Sequence, residues 1–307
     1  MIDAPQHGRR LLSYRRLRIV MGLVLIAGLA GQALRAQVKQ SEEASSPVIV
    51  HQPGKPSPSA ALASAIACTS EVAETIEESA RRNPVAFLEG ALERYDRSVR
   101  DYTCTFTKQE LIHQRLSKKQ VMNVMFREKP FSVRMEWIKN RDKCSRVLYV
   151  ADRWVEDGRQ MAVIEPGPIA KLFVSYVMRP IHGKDAKKSS RRTIDQFGAR
   201  NSLLLILKYC KLAEEQGILD IKYVGNGEVD GRETIVFERH LPYTGNEEEW
   251  PDRVLVAHID RELLFPVLCQ SFADDDKTQL LGSYMTTNIQ LNANLSESFH
   301  TKQGMGL

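Results

Sequence analysis

The sequence predicts an α+β fold in which a curved antiparallel β-sheet, a half-barrel, has helices packed on its concave face. Three observations lead to this fold class. After residue 101, apolar and polar residues alternate with period two in many of the apolar runs. Short turns separate these runs, and the Asp-Gly pairs that begin at Asp157 and Asp230 are typical of hairpins. Helical periodicity interrupts the strands only once, which favours antiparallel pairing over crossover helices.

The first 36 residues have the composition of an export segment. Five arginines between residues 9 and 18 precede an uncharged apolar run over residues 19–34. Positive charge before such a run keeps the N-terminus in the cytoplasm, and the chain on the other side of the run is exported. We therefore expect residues 1–36 to be a signal peptide or, if uncleaved, an N-terminal anchor in the inner membrane. The rest of the chain is expected in the periplasm or cell envelope.

Residues 37–83 are predicted to be a disordered linker that contains one short helix. The segment up to residue 67 is rich in Ser, Pro, Gln and Ala and lacks both helical and strand periodicity. A short helix is expected over residues 70–82, because acidic residues stand in its first turn and arginines at its end.

The folded domain is predicted over residues 84–301, followed by a tail at 302–307. Asn83 and Pro84 are a good helix start, and apolar residues then recur at helical spacing up to Val99. Tyr102, with the residues after it, begins the first alternating strand. Further strands are expected at residues 121–126, 131–137, 147–150 and 161–164.

One strong helix is expected over residues 201–215, with Gly217 as its C-cap. Strands then resume at residues 219–228, 233–239, 253–260, 265–272 and 279–290. Gly225 and Gly227 stand in a strand context and indicate a bulge or turn. A long meander of this kind curls into a barrel or half-barrel, and a helix on its concave side leaves room for a ligand cavity.

Charge argues against a nucleic-acid partner. The whole chain has 43 basic and 38 acidic residues, a net charge of +5. Residues 1–36 contain six arginines and one acid, which accounts for all of this excess. The remaining chain is formally neutral, so the basic isoelectric point belongs to the export segment and does not indicate a nucleic-acid surface.

No constellation of residues predicts catalysis, so the chain is not expected to be an enzyme. A G-x-S-x-G nucleophile elbow does not occur, and the histidines are dispersed without metal-ligand spacing. The acidic run that begins at Asp274 is typical of a solvated turn. We therefore expect no catalytic residues, no metal site and no cofactor. Cations between Lys184 and Arg192 form either a solvated loop or a contact for anionic headgroups.

One alternating stripe is the candidate ligand site. Phe131, Val133, Met135 and Trp137 share a face of one predicted strand, with polar residues between them. Large apolar side chains on one face of a curved sheet line an apolar cavity or form a packed core, and the pattern leaves both open.

Several blocks of sequence resemble a bacterial family called domain of unknown function 1571. The blocks are YTCTFTKQE at residues 102–110 and VMNVMFREKPFSVRMEW at residues 121–137, extended by HIDRELLFPV at 258–267 and YMTTNIQLN at 284–292. The strand order is also similar to the lipoprotein-carrier fold of the LolA/LolB type. That likeness implies a curved antiparallel sheet covered by helices around an apolar cavity.

These observations favour an exported binding protein that shelters an acyl chain, a lipid or an acylated protein in its half-barrel. The alternative is a non-enzymatic envelope scaffold or protein-interaction domain whose sheet is simply filled. An open cavity larger than roughly 300 Å³ would distinguish the first hypothesis from the second.

Overall fold

The structure, a computed structural model, describes residues 76–141 and 143–307. The expected export segment and most of the expected linker lie outside these ranges. Within them, no helix has both the length and the apolar character needed to cross a bilayer.

The framework of the domain is one antiparallel sheet of 13 strands. Its strand order is β6-β7-β5-β4-β3-β1-β13-β12-β11-β10-β9, with β2 paired to β1 and β8 paired to β7. The strands are β1 (Asp101–Ile112), β2 (Arg115–Leu116), β3 (Gln120–Arg127), β4 (Ser132–Lys139), β5 (Cys144–Val150), β6 (Val155–Glu156), β7 (Arg159–Pro166), β8 (Val177–Pro180), β9 (Asp220–Val229), β10 (Arg232–His240), β11 (Val254–Asp260), β12 (Pro266–Phe272) and β13 (Leu280–Leu291).

Two long helices lie against this sheet. The helices are α1 (Pro84–Ser98), α2 (Pro168–Lys171), α3 (Lys184–Ser189) and α4 (Ala199–Glu215), with short 3-10 turns at Ile194–Gln196, Glu297–His300 and Gln303–Met305. Helix α1 begins as predicted, because the Asn83 side chain accepts a hydrogen bond of 3.0 Å from the Ala86 amide and Pro84 needs no amide partner. Helices α1 and α4 contact each other, and their apolar stripes face the sheet.

Apolar side chains on the concave face form two main clusters. One cluster joins α1 and α4 to strands β10 and β11, around Leu88, Leu203 and Phe237. The other fills the half of the sheet formed by β1, β3, β4 and β5, around Tyr102 and Phe126, whose rings stack at 4.7 Å. Burial of this much apolar surface is the main force that holds the curved sheet against its helices.

The C-terminal residues cover part of the convex face. Met305 is buried against Leu148 and Val163, whose side chains point away from the concave cluster. The Arg134 guanidinium donates a hydrogen bond of 3.0 Å to the Gly304 carbonyl. Residues 302–307, expected from the sequence to be a tail, therefore include a side chain that packs in a core.

Residues 76–82 are helical and pack on the domain. Ala80 is completely buried in the cluster beneath α1 and α4. The Arg261 guanidinium lies 3.0 Å from the Glu77 carboxylate. The part of the expected short helix before residue 76 lies outside the described residues.

The predicted fold class is confirmed: a large, open, curved antiparallel sheet carries a few helices. The two long helices and the ten strands expected from periodicity are present close to their predicted bounds, and Gly225 lies at a β-bulge opposite Val236 and Phe237. Strands β2, β6 and β8 were not predicted, because each has only two to four residues.

Candidate functional site

A cavity of about 980 Å³ lies between the concave face and the elements that cover it. Its volume is at the upper end of the 300–1,000 Å³ range that is usual for small-molecule sites. Exposed residues such as Lys143, Leu204 and Lys208 line it together with buried ones, so the cavity opens to solvent.

Apolar side chains form most of the cavity wall. The sheet and α4 contribute them from opposite sides, because period-two alternation points one face of every strand inward and the N-terminal half of α4 faces it. The apolar lining from the sheet comprises Phe106, Met122, Met135, Trp137, Val147, Ala162, Ile164, Val177, Leu255 and Cys269.

The four residues of the predicted stripe divide into two pairs. Met135 and Trp137 line the cavity, and the Trp137 Nε1 donates a hydrogen bond of 3.0 Å to the Gln120 side chain. Val133 is completely buried, and the Phe131 ring packs edge-on against Phe126. One end of the strand thus faces the cavity, while its other end belongs to the packed core.

A connecting segment, residues 181–197, crosses the concave face from β8 to α4, and we call it the strap. Ile181, Ile194 and Phe197 line the cavity from this side. The Phe197 ring meets Phe106 edge-on at 5.1 Å. The strap therefore supplies an apolar wall, although its sequence is mostly polar.

The strap is fastened to the sheet through Glu110, whose side chain is almost completely buried. Its carboxylate accepts hydrogen bonds from the Tyr284 hydroxyl at 2.9 Å, from Lys108 Nζ at 2.8 Å and from Ser190 Oγ at 3.1 Å. Next to Ser190, the Arg191 guanidinium donates to the Ser271 hydroxyl at 3.0 Å. The buried Glu110 carboxylate is thus paired with Lys108, as burial requires.

Burial keeps several groups in the cavity wall uncharged. It raises the pKa of the Cys269 thiol to about 12. Burial, together with the charge of Glu110, raises the pKa of the Tyr284 hydroxyl far above its usual range. Both groups are therefore protonated at neutral pH, and neither supplies a thiolate or a phenolate to the wall.

Arg239 is a buried cation deep in the wall, and a neighbouring carboxylate balances its positive charge. The Arg239 guanidinium lies 2.9 Å from the Asp252 carboxylate and donates to the Ile206 carbonyl of α4 at 3.2 Å. The same guanidinium lies over the face of the Tyr209 ring. The interior of the wall thus presents apolar surface and paired buried charges, whereas exposed cations such as Lys143, Lys188 and Lys208 line the cavity near solvent. This interior suits an apolar group better than a charged one.

Candidate metal ligands remain separate in the described part of the chain. No group of three or more His, Cys, Asp or Glu side chains converges there. The Asp274 carboxylate accepts hydrogen bonds from the Thr278 and Gln279 amides of its own turn, at 3.1 and 2.8 Å.

Sequence reasoning singled out the cations between Lys184 and Arg192 as a solvated loop or a headgroup contact, but it did not predict that the strap that carries them lines the cavity. It also missed Glu110, Tyr284 and Arg239 as parts of the site. Every second residue of a strand points to the same face. By this rule Glu110 and Tyr284 lie on the inward face of their strands, an even number of residues after inward apolar side chains. A charged residue at an inward position is a signal of a polar cluster, and it could have identified Glu110.

The fold and the cavity define a half-barrel protein with an apolar, solvent-accessible interior. The chain belongs to the family described as "Protein of unknown function (DUF1571)", whose model matches residues 99–303. No match was found among curated proteins.

Several solved structures are similar to this chain. One is MucB, with 16% identity and a TM-score of 0.41 over 70% of this chain and 62% of that chain. Another is a putative outer membrane lipoprotein-sorting protein domain from Vibrio parahaemolyticus, with 14% identity and a TM-score of 0.33 over 72% and 98%. A third is the LolA superfamily protein NE2245 from Nitrosomonas europaea, with 8% identity and a TM-score of 0.29 over 70% and 98%.

Proposed function

We propose that this protein binds an apolar ligand, the acyl chain of a lipid or of an acylated protein, in its half-barrel cavity. The observation that carries the proposal is the open cavity of about 980 Å³ with a largely apolar wall. A sheet that was simply filled would leave no space of this size, because protein interiors are packed to crystal-like density. The cavity thus favours a binding protein over a filled scaffold.

The distribution of polarity supports an acyl chain with a polar end. Apolar residues of β4, β5 and β7 form the interior, whereas the exposed cations Lys143, Lys188 and Lys208 line the cavity near solvent. An acyl chain inside and a carboxylate, phosphate or peptide end near these cations would match the wall at every point.

We propose that the polar groups of the wall hold the binding site in shape and do not catalyse a reaction. Glu110, Lys108 and Tyr284 are held by hydrogen bonds with one another, and Arg239 is held by Asp252. A catalytic acid or base must be free to exchange a proton with a substrate. In this wall the same groups hold the strap and α4 in place.

An envelope location follows from the proposed export of the chain. Its basis is the arginine-rich stretch and apolar run of residues 1–36, which lie outside the described residues. A carrier or sensor of acyl chains would meet its ligand there, at either membrane.

The test is mass spectrometry of lipids that co-purify with the full-length chain. Ile164→Trp and Leu204→Trp place an indole in the cavity, since both residues line it. Val224→Trp places the same indole on the exposed outside of β9 and is the matched control. We expect lipid with the wild type and the control, and much less with the two cavity variants. Equal lipid in all four proteins would contradict binding in the cavity.

A further inference from the structure

The connection between β7 and β8 exposes large apolar side chains to solvent. In residues 167–176, which we call the apolar loop, Ile169 and Leu172 are each 81% exposed and Phe173 is 84% exposed. Apolar residues scattered singly over a surface are ordinary, but several neighbours on one loop form a contiguous patch that marks an interaction site.

Backbone hydrogen bonds give the apolar loop a defined shape. The Phe173 amide donates to the Ala170 carbonyl at 3.0 Å, and the Lys171 amide donates to the Gly167 carbonyl at 3.0 Å. At its end, the Tyr176 hydroxyl accepts a hydrogen bond of 3.2 Å from Lys302. The apolar side chains are therefore held outward by an ordered turn.

Two basic turns lie beside the apolar loop. The Gly167 amide donates to the Lys143 carbonyl at 2.8 Å, which joins the loop to the β4–β5 turn. The Asn140 side chain donates to the Lys119 carbonyl at 2.7 Å, which joins that turn to the β2–β3 turn. The cations of these two turns and of the strand ends beside them, which we call the basic rim, are Arg115, Lys118, Lys119, Lys139, Arg141 and Lys143.

Among the described residues, no acidic side chain neutralises the basic rim. None of its six cations forms an ion pair with another described residue. The two segments that carry the basic rim, residues 113–119 and 139–143, contain one acid, Asp142. By contrast, Arg191 of the strap is engaged by Glu247, at 2.9 Å.

We propose that the apolar loop and the basic rim dock the protein on a bilayer that contains anionic phospholipid. An ordered loop that buries Ile169, Leu172 and Phe173 at the acyl boundary would remove the patch from water, while the cations would meet lipid phosphates. A second copy of this chain fits less well, because two basic rims would then face each other and repel.

Docking in this way would also place the cavity at the membrane. Pro166 and Val177 flank the apolar loop, and both line the cavity, as does Lys143 of the basic rim. An acyl chain could then pass between bilayer and cavity over a short path. The docking itself does not depend on the proposed ligand, so either inference can fail without the other.

The test must report on the loop itself, because residues 1–36, expected to be a signal peptide or an N-terminal anchor, would hold an uncleaved chain on a bilayer by themselves. Phe173→Trp places an indole in the apolar loop, and Val224→Trp places one on exposed β9. Vesicles of phosphatidylglycerol or phosphatidylcholine with brominated acyl chains quench an indole that enters them. The quenching of the wild type, which has three tryptophans, is subtracted.

We expect brominated phosphatidylglycerol to quench the added indole at position 173 at least twofold more than the indole at position 224. Lys139→Glu with Arg141→Glu should abolish this difference, since each cation near an anionic surface changes binding by about fivefold. The proposal would be overturned if brominated phosphatidylglycerol quenched the indoles at positions 173 and 224 equally. It would also be overturned if brominated phosphatidylcholine quenched the indole at position 173 as strongly as brominated phosphatidylglycerol does. A blue shift at position 173 that grows with protein concentration, without vesicles, would instead assign the patch to a second copy and would also overturn it.

Discussion

The Tyr284 hydroxyl of β13 donates a hydrogen bond of 2.9 Å to the Glu110 carboxylate of β1, inside the end of the cavity. The same carboxylate accepts from Ser190 Oγ, so it connects two central strands to the strap. Most residues of the strap are polar, and its apolar contacts come from Ile181, Ile194 and Phe197. This buried carboxylate, together with the hydrogen bond from Arg191 to Ser271, holds the strap over the cavity.

Glu110→Gln should loosen the strap and destabilise the domain. The amide keeps the shape of the carboxylate but removes the charge that Lys108 faces at 2.8 Å, and it turns one acceptor into a donor. We expect a loss of about 2–3 kcal/mol in the free energy of unfolding by urea. Asp185→Asn is the control, because Asp185 is exposed and lies 3.7 Å from Arg179. It should change stability by less than about 0.5 kcal/mol.

The predicted stripe on β4 should divide into two functional classes. Val133→Ala removes methyl groups from a completely buried site, and we expect a cost of about 1–3 kcal/mol with unchanged uptake of an apolar probe. Trp137→Ala removes a half-buried wall of the cavity, and we expect weaker uptake with a smaller loss of stability. Urea denaturation and probe titration of both variants separate the classes. The prediction fails if Trp137→Ala costs more stability than Val133→Ala does, or if its uptake of the probe equals that of the wild type.

Much of the sheet could be predicted because residues 102–107 of β1 and 133–137 of β4 alternate strictly, and tight turns separate the later strands. The exposure of the apolar loop could not be predicted, because hydropathy alone predicts that Ile169, Leu172 and Phe173 are buried. Their exposure is decided by a short turn that no core element covers. Met305 was missed for the opposite reason, since a single apolar residue among Gly and polar residues has no periodicity. The strap was missed because side-chain hydrogen bonds between distant residues hold it on the sheet, and such bonds leave no periodic pattern of apolar residues in the sequence.

The helical residues 76–82 should contribute to stability through Ala80. Ala80→Gln buries an amide where no space exists, and we expect it to cost about 2–4 kcal/mol. Glu78→Gln introduces the same side chain at an exposed position two residues earlier and should change little. Thermal unfolding of both full-length variants provides the measurement. Equal melting temperatures would show that this segment does not support the domain.

Stability should fall between pH 6.5 and about 4 because of His300. Burial, with the charge of Arg127, lowers the pKa of its imidazole from 6.5 to about 4 in the folded chain. The unfolded chain therefore binds more protons in this window, so protonation favours unfolding as the pH falls. A shift of this size corresponds to about 3 kcal/mol.

His300→Gln should flatten this pH dependence, because glutamine does not titrate. Urea denaturation at several pH values between 7 and 4 measures the slope for both proteins. Burial also lowers the pKa of His258, so part of the slope remains in the variant. Identical slopes for wild type and variant would contradict a role for His300.

The most direct test of the cavity is titration of the full-length chain with a fluorescent fatty acid. We expect saturable uptake by the wild type and by Val224→Trp, competed by unlabelled fatty acid, and a loss of at least tenfold in affinity for Ile164→Trp and Leu204→Trp. Melting curves of the same samples establish that the variants are folded. If the wild type takes up no probe, or if both cavity variants bind it as well as the control does, the cavity is not a binding site for acyl chains.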